Sequence, residues 1–253
     1  MLDGVRIIVL AGGLGKRMGG DLPKVLTLLN KKPIIGYLVA ELAKLQLAFP
    51  PTIVVGAKAE MVRAFLGEGY HYVTQEEQLG TGHAVGCART ELEGTADTIV
   101  TLYGDHPLVT AAMVERLVAK HRQEQATMTL GVVRVPDFND WRQALTNFGR
   151  VVRNVDGSVG RIVEVKDATA EEKQITEVNP SYFCFSARWL WENITKLANT
   201  NAQQEYYLTD LLKAAFDQGC KVATIEIEPQ EALGINTPEE LAKVAEFMLE
   251  KQA

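Results

Sequence analysis

Val5-Arg6-Ile7-Ile8-Val9-Leu10, followed at once by Ala11-Gly12-Gly13-Leu14-Gly15-Lys16-Arg17-Met18-Gly19-Gly20 and then by Leu22-Pro23-Lys24, is the stretch that decides how this chain folds. A near-continuous apolar run of this length reads as a strand buried on both faces, the pattern of a parallel sheet. The residues after it differ in kind: five glycines and three cations share the fifteen positions from 10 to 24. Glycine lets a backbone approach an anion closely and reach φ > 0, so that successive N–H groups can point at phosphate oxygens. Lys16 and Arg17 add positive charge, and arginine can hold a phosphate bidentately. The bland alternative is a glycine-rich turn with solvated charges.

Outward from this stretch the pattern alternates. Helix-length segments at Pro33–Leu47 and Glu60–Leu66 are separated by the strand-like Thr52–Val55, and further strands are expected at Tyr70–Thr74, Thr98–Tyr103 and Met128–Val135, with a helix at Ala111–Gln123. Thr237 and Glu240 form a capping-box pattern around Pro238, which predicts a closing helix from Pro238 to about Lys251. Between Gly149 and Phe185 the rhythm changes. Val151-Val152, Val159–Val165 and Val178–Phe185 read as strands, Asp156-Gly157 as a hairpin turn, and Thr169–Lys173 as a short helical segment, before helices at Ala187–Leu197 and Leu208–Gln218. The expected fold class is α/β: a Rossmann-like, mainly parallel sheet flanked by helices, with a smaller β-rich lobe. One continuous domain over 1–253 is expected, with one lobe at about 1–135 and 220–253 and the other at about 136–219. In such sheets ligands bind beyond the carboxyl ends of the strands, so the residues after Leu10, Thr74 and Tyr103 are the first candidates.

Composition narrows the function. A chain of 253 residues that is 47% hydrophobic and 23% charged can bury a substantial core. Its longest apolar runs fall short of the roughly 20 residues a membrane crossing needs, and no secretory leader is evident, so a cytoplasmic location without a membrane partner is expected. Cys87, Cys184 and Cys220 show neither zinc spacing nor a disulfide framework. A net charge of -6 disfavours a broad nucleic-acid surface yet leaves room for a local cationic pocket that binds a small phosphate ligand. Two familiar phosphate loops fail at specific positions. The dinucleotide fingerprint begun by Gly13-Leu14-Gly15 would need glycine where Met18 stands, and no Gly-Lys-Ser/Thr completes a P-loop.

The loop instead resembles that of the sugar nucleotidyltransferases, and most fully the N-acetylglucosamine-1-phosphate uridylyltransferase domain of the bifunctional bacterial enzymes. Besides the loop, the resemblance runs through Gln75-Glu76-Glu77-Gln78-Leu79-Gly80-Thr81-Gly82-His83-Ala84, Leu102-Tyr103-Gly104-Asp105 and Phe148-Gly149-Arg150. It continues through Ile162–Thr169, Glu177-Val178-Asn179, Asn201–Asp210 and Gly234-Ile235-Asn236. The order and spacing of these segments span about positions 5 to 240 of the sequence.

The resemblance implies a nucleotide-diphospho-sugar transferase fold and a magnesium-dependent transfer of UMP from UTP to a sugar 1-phosphate. It places Leu10, Ala11, Gly12, Gly13, Gly15, Gln75, Gly80 and Thr81 on the nucleotide, and a primary amide such as Gln75 can both donate to and accept from a base edge. It puts Lys16 and Arg17 on the departing pyrophosphate, Lys24 near the α-phosphate, and Asp105 with Asn236 on Mg²⁺. For the sugar it implies Tyr103, Gly104, Gly149, Glu164, Lys166, Asn179 and Thr209. A phosphate monoester is already anionic near neutrality, so no general base is required and catalysis rests on positioning and charge neutralisation. His106, beside Asp105, is expected to touch substrate or to serve the structure.

Two departures shape the expectations. The family loop usually reads Leu-Ala-Ala-Gly where this chain has Leu10-Ala11-Gly12-Gly13, and the usual Asn-Thr-Gly is here Asn179-Pro180-Ser181. Another acceptor sugar, or another nucleotide such as dTTP, is therefore the first alternative, and a non-catalytic nucleotide-sugar sensor is the second. No hexapeptide β-helix repeats follow the closing helix. The expectation is a monomer or small homo-oligomer without an acetyltransferase domain.

Overall fold

The computed structural model of the chain describes residues 2–19 and 21–250, apart from the side chains of Lys16 and Glu250. In chain order it runs β1 (Val5–Ala11), a short ribbon of β2 (Leu28–Leu29) and β3 (Lys32–Pro33), α1 (Ile34–Leu42), β4 (Thr52–Val55), α2 (Ala59–Leu66) and β5 (His71–Thr74). Then come α3 (Thr81–Cys87), α4 (Arg89–Leu92), β6 (Thr98–Tyr103), α5 (Ala111–Glu124) and β7 (Met128–Arg134). The remainder is β8 (Gly149–Arg153), β9 (Val159–Val163), β10 (Glu177–Asn179), β11 (Phe183–Ser186), α6 (Ala187–Asn193), α7 (Leu211–Asp217), β12 (Val222–Glu226) and α8 (Pro238–Glu250).

The strands form a ten-stranded sheet in the order β5-β4-β1-β6-β11-β7-β10-β8-β9, with β12 also paired to β7. β1 lies between β4 and β6, parallel to both. Its seven residues are all buried, which is why the run carries no polar alternation: Ile7, Val9 and Ala11 face one core with α1 and α5, while Ile8 and Leu10 face the other with α3 and α6. Each buried Val, Ile or Leu side chain among them contributes about 1.5–3 kcal/mol by leaving water. The expected α/β class with a mainly parallel sheet is what the chain adopts, and β11 is the antiparallel member between β6 and β7.

Several local expectations are met. The Thr237–Glu240 capping box forms, with Glu240 N donating to Thr237 Oγ1 (3.3 Å) and Thr237 N donating to Glu240 Oε2 (3.1 Å). The C-terminal limit near Lys251 lies outside the described residues. Asp156-Gly157 turns β8 antiparallel into β9, with Gly157 at φ +83. Thr169 and Glu172 cap one another at the start of a 3-10 turn over Glu172–Gln174.

Others are corrected. The helix expected to reach Leu47 ends at Leu42, where its bonds tighten to the i to i−3 pairs of Lys44 N with Glu41 O (3.0 Å) and Leu45 N with Leu42 O (3.1 Å). The single strand expected over Val178–Phe185 is two strands, β10 and β11. Pro180 supplies no N–H for the ladder and Ser181 adopts φ +64, so the chain kinks and changes partner, from β8 on one side to β6 on the other. Helices α3 and α4 and strand β12 go beyond what the sequence pattern predicts. Helix α3 contains Gly82 and Gly86 and has little intrinsic propensity. Close contact holds it instead: a Cβ at Gly82 would lie 2.5 Å from Leu197 Cδ1.

Candidate active site

The carboxyl ends of β1, β5 and β6 open on one hollow of about 450 Å³. Its lining includes Leu10, Ala11, Gly12, Gly13, Arg17, Lys24, Gln75, Gln78, Gly80, Thr81, Tyr103, Asp105 and Glu205. Tight backbone approach shapes the floor. A Cβ at Gly56, just after β4, would sit 2.4 Å from Gly12 O, and one at Gly12 would sit 3.2 Å from Gln75 Oε1. Gly15 is not part of the lining. It takes φ +63 to start the 3-10 turn over Lys16–Met18, and a side chain there would press on Lys24 Cα at 3.1 Å. Lys24 N donates to Gly13 O (3.1 Å), closing the bend on itself.

Gln75 is 5% exposed, and its amide nitrogen donates to Gly80 O (3.1 Å) and lies 3.0 Å from His83 Nδ1. Gln78 reaches across the hollow to donate to Gly12 O. Thr81 Oγ1 accepts from Leu208 N (3.1 Å), and Gly82 N donates to Tyr206 O (2.8 Å), so the 80–82 turn is tied to the 206–208 segment.

A second hollow of about 570 Å³ lies beside the first and shares Arg17 with it. Phe148, Glu164, Lys166, Tyr207, Gly234 and Asn236 line it. Glu164, at the end of β9, accepts from Thr209 Oγ1 (3.0 Å), and burial pushes its carboxyl above the usual range, partly offset by that bond. Thr209 and Glu164 also border a third hollow behind this wall. Lys166 is exposed and donates to Gln203.

Four polar side chains meet where the two hollows join. Lys24 Nζ donates to Asp105 and to Asn236 Oδ1 (2.8 Å), and Arg17 Nη2 donates to the same Asn236 oxygen (3.3 Å). Asp105 is 7% exposed; burial alone would raise its carboxyl, but the Lys24 charge and hydrogen bond and the neighbouring His106 hold it below the usual range. Ile235 N donates to Asp105 O (3.0 Å), which fixes the Asn236 turn against the end of β6. The Lys24 ammonium sits where Asp105 and Asn236 oxygens converge and stands in for a cation there. Two hard oxygen donors facing one point suit a divalent cation that keeps most of its shell for water and phosphate. Among the described residues no group of three or more His, Cys, Asp or Glu could hold a metal.

Of the residues singled out from the sequence, Leu10, Ala11, Gly12, Gly13, Gln75, Gly80, Thr81, Tyr103, Arg17, Lys24 and Asp105 share the first hollow. Glu164, Lys166 and Asn236 line the second. The Lys16 side chain lies outside the described residues. Gly104 is a packing glycine, since a Cβ there would lie 3.1 Å from Val25 Cγ1. Gly149 opens β8 with Ile162 2.7 Å from where its Cβ would be. Asn179 is 1% exposed and both its polar ends engage Ser181: Oδ1 accepts from Ser181 N (3.0 Å) and Nδ2 donates to Ser181 Oγ (3.4 Å). Neither Gly149 nor Asn179 lines the two hollows. His106 resolves to a structural place. It bonds the buried Tyr182 hydroxyl, which donates to Glu231 O (2.8 Å), and burial pushes its ring down to about 4 against the pull of Asp105.

Sequence reading missed Gly56 and gave no role to Gln78 or Glu205. Gly56 carries a signal that could have been used, a glycine directly after a buried strand, as at Gly104. Gln78 and Glu205 carry none, because polar residues in loops look alike until the fold brings them to one cavity.

The description "MobA-like NTP transferase domain" matches residues 7–215. Over 245 residues the chain is 40% identical to the bifunctional protein GlmU of Brevibacillus brevis, covering 96% of this chain and 51% of that one. It is 40% identical over 242 residues to the GlmU of Halalkalibacterium halodurans, covering 95% and 51%. The chain thus spans about half the length of these relatives. In fold it is similar to a UDP-glucose pyrophosphorylase solved with UDP-glucose, at TM-score 0.74 and 15% identity over 97% of this chain and 98% of that one. It is also similar to a Bacillus anthracis protein described as a glucose-1-phosphate thymidylyltransferase, at TM-score 0.71 and 17% identity over 96% and 94%. A strand-end glycine bend, a pair of adjoining hollows and a polar cluster between them are thus carried on a chain that belongs to the MobA-like NTP transferase family.

Proposed function

We propose that this protein is a sugar-1-phosphate nucleotidyltransferase that moves UMP from UTP to N-acetylglucosamine 1-phosphate, giving UDP-N-acetylglucosamine and pyrophosphate. The observation that carries this reading is the junction of two hollows at Arg17, Lys24, Asp105 and Asn236. A reaction joining two phosphorylated substrates needs one charged point shared by two binding spaces. The likeness to the GlmU proteins over nearly the whole chain supports the choice of nucleotide and sugar. The nucleotide-binding lobe is taken as about 1–135 and 220–253, the sugar lobe as about 136–219, and the whole as one domain acting in the cytoplasm, as a monomer or small homo-oligomer.

In this reading the base lies against Leu10–Gly12, Gln75 and Gly80-Thr81, and the triphosphate follows the bend of Gly13 and Gly15 toward Lys16, Arg17 and Lys24. The sugar 1-phosphate lies in the second hollow, with Glu164 toward its hydroxyls or acetamido group and Lys166 near its phosphate; Tyr103, Gly104, Gly149, Asn179 and Thr209 lie outside the lining of that hollow and serve it by packing and hydrogen bonding, as Thr209 does through Glu164. An anionic phosphate oxygen attacks the α-phosphorus, the bond from that phosphorus to the bridging oxygen breaks, and pyrophosphate leaves with its charge met by Lys16 and Arg17. No proton has to move. Asp105 and Asn236 would hold Mg²⁺, which when bound neutralises phosphate charge. Lys24 then gives up those two oxygens and is free to turn to the α-phosphate.

A second reading, another acceptor sugar or dTTP as donor, is favoured by Pro180-Ser181, where the proline ring stiffens the backbone and Ser181 takes φ +64 next to Tyr103. A matrix of UTP, dTTP, CTP and ATP against several sugar 1-phosphates, with mass spectrometry of the products and release of pyrophosphate as readouts, separates the readings. The first expects UDP-N-acetylglucosamine as the dominant product. Binding of a UDP-sugar without any pyrophosphate release would replace both with a sensor.

A further inference from the structure

The amide of Gln75 has no freedom to choose which end it shows to a ligand. Its nitrogen is committed twice, to Gly80 O at 3.1 Å and to His83 Nδ1 at 3.0 Å. A carbonyl oxygen can only accept, so the Gly80 contact identifies the nitrogen, and His83 Nδ1 must then be the unprotonated acceptor of the second N–H. The remaining atom, Oε1, faces Gly12 on the floor of the first hollow, 3.2 Å from where a Cβ there would lie. His83 sits on α3, with Nε2 3.8 Å from Cys87 Sγ and its ring beside Tyr206. It lines a separate, largely apolar hollow behind the base side, together with Leu79, Ile194 and Leu197, and takes no part in the first one.

We infer that His83 is a positioning residue for base choice: by accepting from Gln75 it locks the amide with its oxygen toward the nucleotide. A fixed acceptor at that point suits a base edge that presents an N–H, as N3 of uracil or thymine does. It opposes one that presents a lone pair, as N3 of cytosine does, because two acceptors then face each other without a hydrogen. Without His83, the Gly80 carbonyl alone restrains the amide, and rotation by half a turn would offer N–H to the base. The inference rests on the nucleotide side of the function proposed above and adds the residue that sets its selectivity.

The test compares the wild-type enzyme with His83→Ala and His83→Asn, whose Oδ1 can replace Nδ1 as an acceptor, using UTP, CTP and N3-methyl-UTP. Wild type is expected to reject N3-methyl-UTP. In His83→Ala the KM for UTP should rise about tenfold with a much smaller change in kcat, and the preference for UTP over CTP and over N3-methyl-UTP should narrow by about the same factor. His83→Asn should restore most of the preference. An unchanged UTP to CTP ratio in a folded His83→Ala overturns the inference, and so does a wild-type enzyme that accepts N3-methyl-UTP as readily as UTP, which needs no variant. Failure of wild type to turn over UTP at all would instead strike the proposed function.

Discussion

The two hollows are built in opposite ways. The first is made from the ends of parallel strands and from glycine backbone, so its shape is set by the sheet itself, and its closest contacts are between main chains, such as Gly56 against Gly12. The second is walled by side chains of antiparallel strands and a 3-10 segment: Phe148 after the Asp140–Asn147 turn, Glu164 after β9, and Tyr207. A backbone-lined pocket fixes what all its ligands have in common, which in the function proposed above is the nucleotide. A side-chain-lined pocket can be altered one residue at a time, and that is where a change of sugar costs the fold least.

The contrast is open to measurement on both sides. The largest effect belongs to the junction, which serves both hollows. Asp105→Ala and Arg17→Ala should each lower kcat by about 10²-fold or more, and a near-normal rate in either would remove that residue from the chemistry. Next is the backbone-built side: Gly56→Ala drives a methyl group into Gly12 O, and kcat/KM for UTP should drop about tenfold to a hundredfold while the KM for the sugar 1-phosphate stays put. An equal loss for both substrates would mean that the two hollows are not independent.

On the side-chain-built side, Glu164→Gln keeps an oxygen for Thr209 but removes the charge. The KM for the sugar 1-phosphate should rise roughly five- to tenfold with UTP little affected, as steady-state kinetics would register. The smallest effect is a control away from both hollows. His121, whose Nδ1 meets Thr129 Oγ1 at 3.0 Å, is pushed down to about 4 by burial and by Arg122, from an ordinary 6.5. The unfolded chain therefore takes up this proton first on acidification. The stability due to the neutral ring is complete above about pH 6.5 and is lost as pH falls toward 4. Thermal melts should show His121→Gln to be less sensitive than wild type across that window. An unchanged slope would place the acid sensitivity elsewhere.

The sequence was most readable where physics leaves few choices. A strand buried on both faces has to be apolar throughout, a phosphate bend has to be rich in glycine, and a capping box needs Thr and Glu at fixed spacing; β1, its loop and the start of α8 were legible for these reasons. Asp105 and Asn236 could be paired only through a family resemblance, since 131 positions separate them and nothing local ties one to the other. Helix α3 stayed hidden because its stability lies in contacts with Leu197 and Tyr206 and not in its own residues. Gly149 and Asn179 were implied as sugar contacts, and the structure shows close packing at the first and an Asn179–Ser181 turn at the second. A residue-type argument cannot distinguish these uses from sugar contact.

The kink at Pro180-Ser181 has a mechanical consequence. Residues 177–186 are one piece of chain, laddered to β8 on one side of the kink and to β6 on the other, with β7 alongside throughout. Sliding one part of the sheet past the other would tear main-chain hydrogen bonds on both sides of that piece, and β7, paired to both halves, ties them together across the kink. The kink thus marks where the chain passes from the strands beside the first hollow to those beside the second, and Tyr103, on the lining of the first, stands next to it.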